Sequence, residues 1–169
     1  MDYSRDVYLF HQTPETLCKE LIKYVPCQDG DILLEPFKGE GNFYRNFPTT
    51  TVNEWCEIKE DRDYTHYKGK IDWVITNPPF CLDEGGKRVN AFIKLLFYFT
   101  ERTDKGVCFL ANYKCWSSLT PIRLKALQDK GWYLQKAVVC NIKKWSGRYY
   151  WLIFTKQPND IFPYILGSF

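Results

Sequence analysis

The sequence predicts an α/β fold with a mainly parallel sheet, and three observations carry that reading. Short apolar runs alternate with amphipathic segments along the chain, and the connections between them are short. At 169 residues and 45% hydrophobic content, the chain suffices for one globular domain with a sizeable core.

The elements follow in order. In "TPETLCKELIKYV", Thr13 is placed as an N-cap and Pro14 at the first helical position, and Leu17, Leu21, Ile22 and Val25 recur at helical spacing. "DILLE" (31–35) reads as a strand, and "GEGNFYRNF" turns from it into a helix. "TVNEW" (51–55) is the next strand, before the charged "KEDRDYTHYKGK". "IDWVIT" (71–76) is a buried strand, and 90–103 is a helix with apolar positions 92, 93, 95, 96 and 99. "GVCFLA" (106–111) is strand, "TPIRLKALQDK" (120–130) helix, and "WYLQKAVVCN" and "YYWLIFTK" close the pattern as strands. The apolar, proline-broken tail "QPNDIFPYILGSF" is expected to pack back on the body. No internal repeat or low-complexity segment interrupts the chain.

Composition narrows the function classes. The N-terminal residues lack the basic start and apolar stretch of a signal peptide, and no run reaches the 18 or so apolar residues of a membrane span, so a soluble intracellular protein, in cytoplasm or nucleus, is expected. Seven cysteines without a CxxC and only two histidines, His11 and His66, argue for free thiols and against a metal site. Net charge is +3, but residues 104–156 hold ten Lys/Arg against two acids, interleaved with Tyr and Trp. A nucleic-acid surface has that character, and so does a plain solvated lysine-rich face.

Two loops stand out, because ligands of open α/β sheets bind at the carboxyl ends of strands. In "LLEPFKGEG", Glu35 and Pro36 end a strand, and Gly39 and Gly41 permit a tight turn with no Cβ between ligand and backbone. The stretch is neither GxGxxG, since Tyr44 takes the third glycine's place, nor a phosphate loop, since no Gly-Lys-Ser/Thr follows. A ligand with ribose or amine groups suits Glu35 better. In "ITNPPF", two prolines fix the Asn77 amide and the Pro78 carbonyl, and Phe80 follows at the ligand end. Two fixed acceptors beside a ring form a site for a planar amine carried on a base.

With both loops in view, the chain resembles the S-adenosylmethionine-dependent amino-methyltransferases, particularly the N6-adenine DNA methyltransferases. The order "HQTP", "EPFKGEG", an acidic stretch, then "NPPF" is similar to that family's gamma-type arrangement, over roughly residues 8–156. The resemblance implies a single Rossmann-like methyltransferase domain with a mostly parallel seven-stranded sheet and helices on both faces. It implies S-adenosylmethionine as cofactor, held by Gln12, Thr13, Glu35, Pro36, Phe37, Gly39 and Gly41 near its methionine part. Glu57, followed by Ile58, would hold the ribose hydroxyls, and Asp63 with Tyr64 the adenine amine, with Asp61 an alternative. Asn77, Pro78, Pro79 and Phe80 correspond to the catalytic motif, with Asn77 also at the cofactor. Trp145 and Arg148 in "KKWSGRYYW" match a late turn beside the target pocket. Lys87 and Arg88, in the loop 81–91 with its paired glycines, form a candidate mobile substrate lid.

The implied reaction is methylation of adenine N6 in DNA with base flipping. An RNA enzyme acting on adenine N6 or guanine N2 uses the same motif, and a protein glutamine methyltransferase a similar one. A non-catalytic nucleic-acid-binding subunit would not need the intact Glu35, Gly39, Gly41 and Asn77. Only thirteen residues follow Lys156, so no separate target-recognition domain is expected, and a partner subunit or homodimer would supply specificity.

Overall fold

The computed structural model describes residues 12–160 together with 163 and 165. Among these lie β1 (Ile32–Glu35), β2 (Val52–Trp55), β3 (Trp73–Thr76), β4 (Cys81–Glu84), β5 (Lys87–Asn90), β6 (Gly106–Asn112), β7 (Tyr133–Cys140) and β8 (Tyr149–Thr155). The helices are α1 (Glu15–Ile22), α2 (Ala91–Thr100), α3 (Tyr113–Ser117) and α4 (Pro121–Asp129).

The main sheet has the order β2-β1-β3-β6-β8-β7. Its first four strands are parallel, and β8 runs antiparallel between β6 and β7. This is the doubly wound, Rossmann-like α/β arrangement the sequence predicts. Alternation along the strands divides the core into two faces. Leu34, Val74, Val107, Phe109, Leu152 and Phe154 point to one face, where Phe92, Leu95, Leu96 and Phe99 of α2 and Leu127 of α4 cover them. Leu33, Trp73, Ile75, Cys108, Leu110 and Trp151 point to the other, against Cys18, Leu21 and Ile22 of α1 and the rings of Phe43 and Phe47. Each fully buried large apolar side chain contributes about 1.5–3 kcal/mol.

Three expectations are corrected. Among the described residues the main sheet has six strands, not seven. Residues 58–67 fold instead into two 3₁₀ turns, Ile58–Glu60 and Tyr64–His66, because a further parallel crossover needs about a dozen residues or more and β3 begins too soon. Thr13 does not cap α1: Pro14 holds the N-cap position, and Thr13 is buried with its carbonyl accepting from Asn42 Nδ2 at 2.8 Å. The helix expected after the glycine turn is a single 3₁₀ turn, Tyr44–Asn46; Pro48 holds Phe47 extended at ψ 145° and stops it.

The loop 81–91 is a β-hairpin. Gly85 and Gly86, at φ +62° and +79°, supply the two left-handed residues that a tight turn between twisted strands requires, and β4 and β5 pair in register across them. Asn90 Oδ1 then caps α2 by accepting from the Phe92 N–H at 3.0 Å. The start of the tail does pack back: Asn159 Nδ2 donates to the Leu134 carbonyl at 3.2 Å. His11 and most of the tail beyond residue 160 lie outside the described residues.

Candidate active site

The first three parallel strands end on one edge of the sheet, and the sequence places an unusual turn after each. After β1, Glu35 is 2% exposed and its carboxylate accepts from the Tyr44 N–H at 2.8 Å, fastening the far end of the glycine turn to the strand. Burial pushes the Glu35 carboxyl well above the usual carboxylate range, and Glu57 adds to this; the Tyr44 N–H and the Lys38 charge pull the other way.

Gly39 and Gly41 take φ +54° and +83°. A Cβ on Gly39 would lie 2.6 Å from Gln12 Nε2, so the side chain of Gln12 lies directly over the turn. Gln12 Oε1 also accepts from the Glu40 N–H, at 3.4 Å. Thus Gln12 and the glycine turn, 27 positions apart from Gln12 to Gly39, meet in the fold. Pro36 is buried, and Phe37 turns inward to meet Tyr64 edge-on at 4.9 Å, with Phe99 behind both.

After β2, the Glu57 carboxylate accepts from the Gly39 N–H at 2.7 Å and the Lys59 N–H at 3.2 Å. Its main chain exchanges two hydrogen bonds with Arg62, closing the 57–62 turn. Ile58 is 70% exposed, an apolar ledge beside that carboxylate. Asp63 caps the next turn by accepting from the Thr65 N–H and hydroxyl, which holds its carboxyl below the usual range. Asp61 is exposed with φ +56°, away from these hydrogen bonds, so Asp63 is the better placed of the two.

After β3, Asn77 is half-buried and its amide oxygen is shut off from solvent. Pro78 is buried, Pro79 half-buried. Phe80 does not stand free as the sequence suggested. It is half-buried against both faces of the core, and its carbonyl accepts from the Ala91 N–H at 3.1 Å at the base of the hairpin. Lys87 is exposed on β5; Arg88 pairs through its backbone with Asp83. Trp145 is half-buried against the Tyr149 ring at 4.9 Å, while Arg148 lines an open groove farther along the same edge.

The sequence reading missed a clasp around Trp55. Trp55 lies between two cations, with Lys38 Nζ 3.5 Å and Arg62 Cζ 3.9 Å from its ring centre. Lys38 is also bonded to Glu60 at 2.7 Å, and Arg62 pairs with Glu54 at 3.7 Å. This clasp ties the glycine turn to the 57–63 turn where a further strand would otherwise pack. A Lys next to a glycine turn and a Trp at a strand end were the available signals, and neither implies the pairing.

Among the described residues no helix is long and apolar enough to cross a membrane, and no group of three or more His, Cys, Asp or Glu is gathered as for a metal.

No protein-family model matches the chain, and no curated protein matches it. Solved structures do match in fold. A candidate RNA methyltransferase from Pyrococcus horikoshii superposes with a TM-score of 0.61 at 15% identity, over 85% of each chain. A candidate class I S-adenosylmethionine-dependent methyltransferase from Listeria monocytogenes gives 0.63 at 14% identity, covering 94% of this chain and 65% of that one. A modification subunit of a candidate type I restriction enzyme from Vibrio vulnificus gives 0.62 at 14%, covering 86% of this chain and 44% of that one. The chain has the fold of these Rossmann-like methyltransferases.

Proposed function

We propose that the protein transfers a methyl group from S-adenosylmethionine to the exocyclic N6 amine of adenine in DNA. The observation that carries this reading is the pairing of two neighbouring strand ends. The Gly39 turn follows β1, the Asn77-Pro78-Pro79-Phe80 turn follows β3, and the two strands are hydrogen-bonded in parallel. A fold shared with the methyltransferases named above supports it.

The residues fit the cofactor. Gly39 and Gly41 present backbone without a Cβ, with the movable Gln12 amide over Gly39, Glu57 offers a carboxylate for vicinal hydroxyls, and exposed Ile58 offers an apolar face for a purine. Glu35 at the end of β1, with Gln12 over the glycine turn and Thr13 bonded to Asn42, suits the methionine end. Asp63 with Tyr64 suits the adenine amine. When bound, the cofactor supplies an electrophilic methyl on a positively charged sulfur.

The chain's own part is alignment and charge stabilisation. Asn77 Oδ1 and the Pro78 carbonyl accept the two hydrogens of the target amine, turning its lone pair out of conjugation with the ring. The nitrogen would then bond to the methyl carbon as the carbon–sulfur bond breaks, releasing the neutral thioether S-adenosylhomocysteine, and the amine's extra proton would pass to solvent. Phe80 stacks on the base at about 1–3 kcal/mol. Asn77 Oδ1 is screened from solvent, so the groups over it move aside as the base enters. Trp145 and Arg148 flank the entry. Target recognition comes from a partner subunit or a second copy.

An RNA substrate, methylated at adenine N6 or guanine N2, is the second reading; it draws on the neighbour from Pyrococcus horikoshii, a candidate RNA enzyme. Labelled methyl donor with matched DNA and RNA, followed by nucleoside mass spectrometry, decides. N6-methyldeoxyadenosine supports the first reading, and a methylated ribonucleoside the second. Label entering protein points to glutamine methylation, and no cofactor binding leaves a non-catalytic nucleic-acid-binding subunit.

A further inference from the structure

One surface on the same edge of the sheet, apart from Arg148 at its border with the entry, has no role in the reaction above. β6 ends at Asn112, β8 begins opposite it at Tyr149, and β7 ends opposite Tyr149 at Cys140. These ends lie one, two and three strands along from Asn77. With strands spaced about 4.8 Å apart, that is roughly 5–15 Å, the reach of one or two nucleotides.

The strand ends frame an open groove lined by Tyr113, Val139, Asn141, Arg148 and Tyr150. Tyr113 is 52% exposed and Val139 66%. Tyr150 is held firmly, with the Trp116 ring stacked on it at 4.9 Å and 19°. Lys114, Lys143, Lys144 and Arg148 are all exposed in the segments that border the groove, and among the described residues none of the four is in a salt bridge. From Lys105 to Asn159 the sequence has one acid, Asp129, and Lys125 binds it at 2.6 Å.

The occupant therefore carries negative charge and flat apolar faces together. Cations alone would suit any phosphate backbone. The exposed Tyr113 ring, beside half-buried Tyr150, adds something a duplex cannot use, because its bases present their faces to one another. A base that has left its stack gains about 1–3 kcal/mol on such a platform.

We propose that this groove holds one or two unpaired nucleotides flanking the target base, so that the protein's partner is a single-stranded nucleic acid. The proposal rests on the reading of Asn77 as the transfer site and adds the strand state of the substrate. In a single strand the target base reaches Asn77 without the cost of opening a duplex.

The test is fluorescence anisotropy of the full chain with labelled oligonucleotides of about twelve nucleotides. The probes are single-stranded DNA, single-stranded RNA of the same sequence, and the DNA duplex, with S-adenosylhomocysteine binding measured on the same samples. At least one single strand is expected to bind ten or more times tighter than the duplex, and the two sugars tell DNA from RNA. Tyr113→Ala is expected to weaken that binding five- to fifty-fold with Tm unchanged. Lys143→Ala with Lys144→Ala is expected to flatten the salt dependence by about 0.7 per lost phosphate contact. Duplex binding as tight as the single strand, or full single-strand affinity in Tyr113→Ala, overturns the proposal. Cofactor-product binding without single-strand preference sinks the groove alone. Tyr113-dependent strand binding without cofactor-product binding or methyl transfer sinks the site reading and leaves the groove standing.

Discussion

Glu57 Oε2 accepts the Gly39 N–H at 2.7 Å, which joins the turn after β2 to the turn after β1. The carboxylate that would hold the cofactor's ribose thus also fixes the backbone that would lie along its methionine part. Each carboxylate oxygen has a second lone pair, so both tasks fit on one side chain.

Glu57→Ala removes both at once. Hydrogen bonds to a charged group contribute about 1.5–3 kcal/mol, so S-adenosylhomocysteine affinity should fall about 10–150-fold. Glu57→Gln keeps an acceptor for Gly39 and should fall less. Titration calorimetry measures both, with oligonucleotide affinity as the control that stays put. Unchanged cofactor-product affinity in Glu57→Ala removes this residue from the site.

Glu35 gives a pH dependence. Its folded-state pKa is raised by burial above the ordinary value of 4.5, so the folded state keeps a proton that the unfolded chain releases. Stability therefore falls as pH rises from about 4.5 and levels off above the raised folded pKa. Glu35→Gln keeps an acceptor for the Tyr44 N–H and removes that loss. The Tm gap between variant and wild type should be near zero at about pH 4.5 and widen in the variant's favour toward neutrality. The same variant should bind S-adenosylhomocysteine more weakly, since stability is gained by discarding a ligand group. A gap that narrows with pH contradicts the burial argument, and unchanged binding contradicts the role.

Two glycines separate function from stability. Gly39→Ala faces a left-handed φ, costing about 1–2 kcal/mol, and the movable end of Gln12. It should displace Gln12 from Glu40 and weaken cofactor-product binding tenfold or more with a modest loss of Tm. A Cβ at Gly106 would run into the Trp73 ring, and that ring is buried and held by a 2.9 Å hydrogen bond from Nε1 to Asp31. Overpacking there should cost about 3 kcal/mol, or roughly 6–12 °C in Tm for a domain of this size. Thermal melts beside calorimetry distinguish the two, and a Gly106→Ala protein as stable as wild type refutes the packing account.

Asn77→Ala should abolish methyl transfer while S-adenosylhomocysteine affinity stays within about threefold. Asn77 follows β3 and the glycine turn follows β1, so the cofactor side is expected to survive its loss. Turnover that persists in this variant contradicts the catalytic role of the motif.

How far the sequence could be read depends on the kind of interaction. The parallel strands were legible because β3 and β6 are buried on both faces and read as unbroken apolar runs. The glycine turn and "NPPF" were legible because special backbone requires special residues. The hairpin at Gly85–Gly86 was missed: the flanking strands, "CLDE" and "KRVN", lack clear alternation, and only the turn announced them. The clasp around Trp55 was invisible, since it joins residues from three segments that only the folded sheet brings together.

That clasp yields the last prediction. A cation over an indole contributes about 0.5–1 kcal/mol where exposed and about 2 where desolvated, and Trp55 is half-buried with one cation on Lys38 and one on Arg62. Through those two cations Trp55 holds the 57–63 turn against the strand ends. Trp55→Ala should weaken S-adenosylhomocysteine binding about five- to tenfold and raise hydrogen exchange across residues 57–63, leaving exchange in β3 and β6 unchanged. Trp55→Phe, which keeps a weaker ring for both cations, should recover part of the affinity. Equal affinity in all three proteins makes the clasp a surface decoration; loss in Trp55→Ala without recovery in Trp55→Phe assigns the effect to the indole's bulk instead of its charge partners.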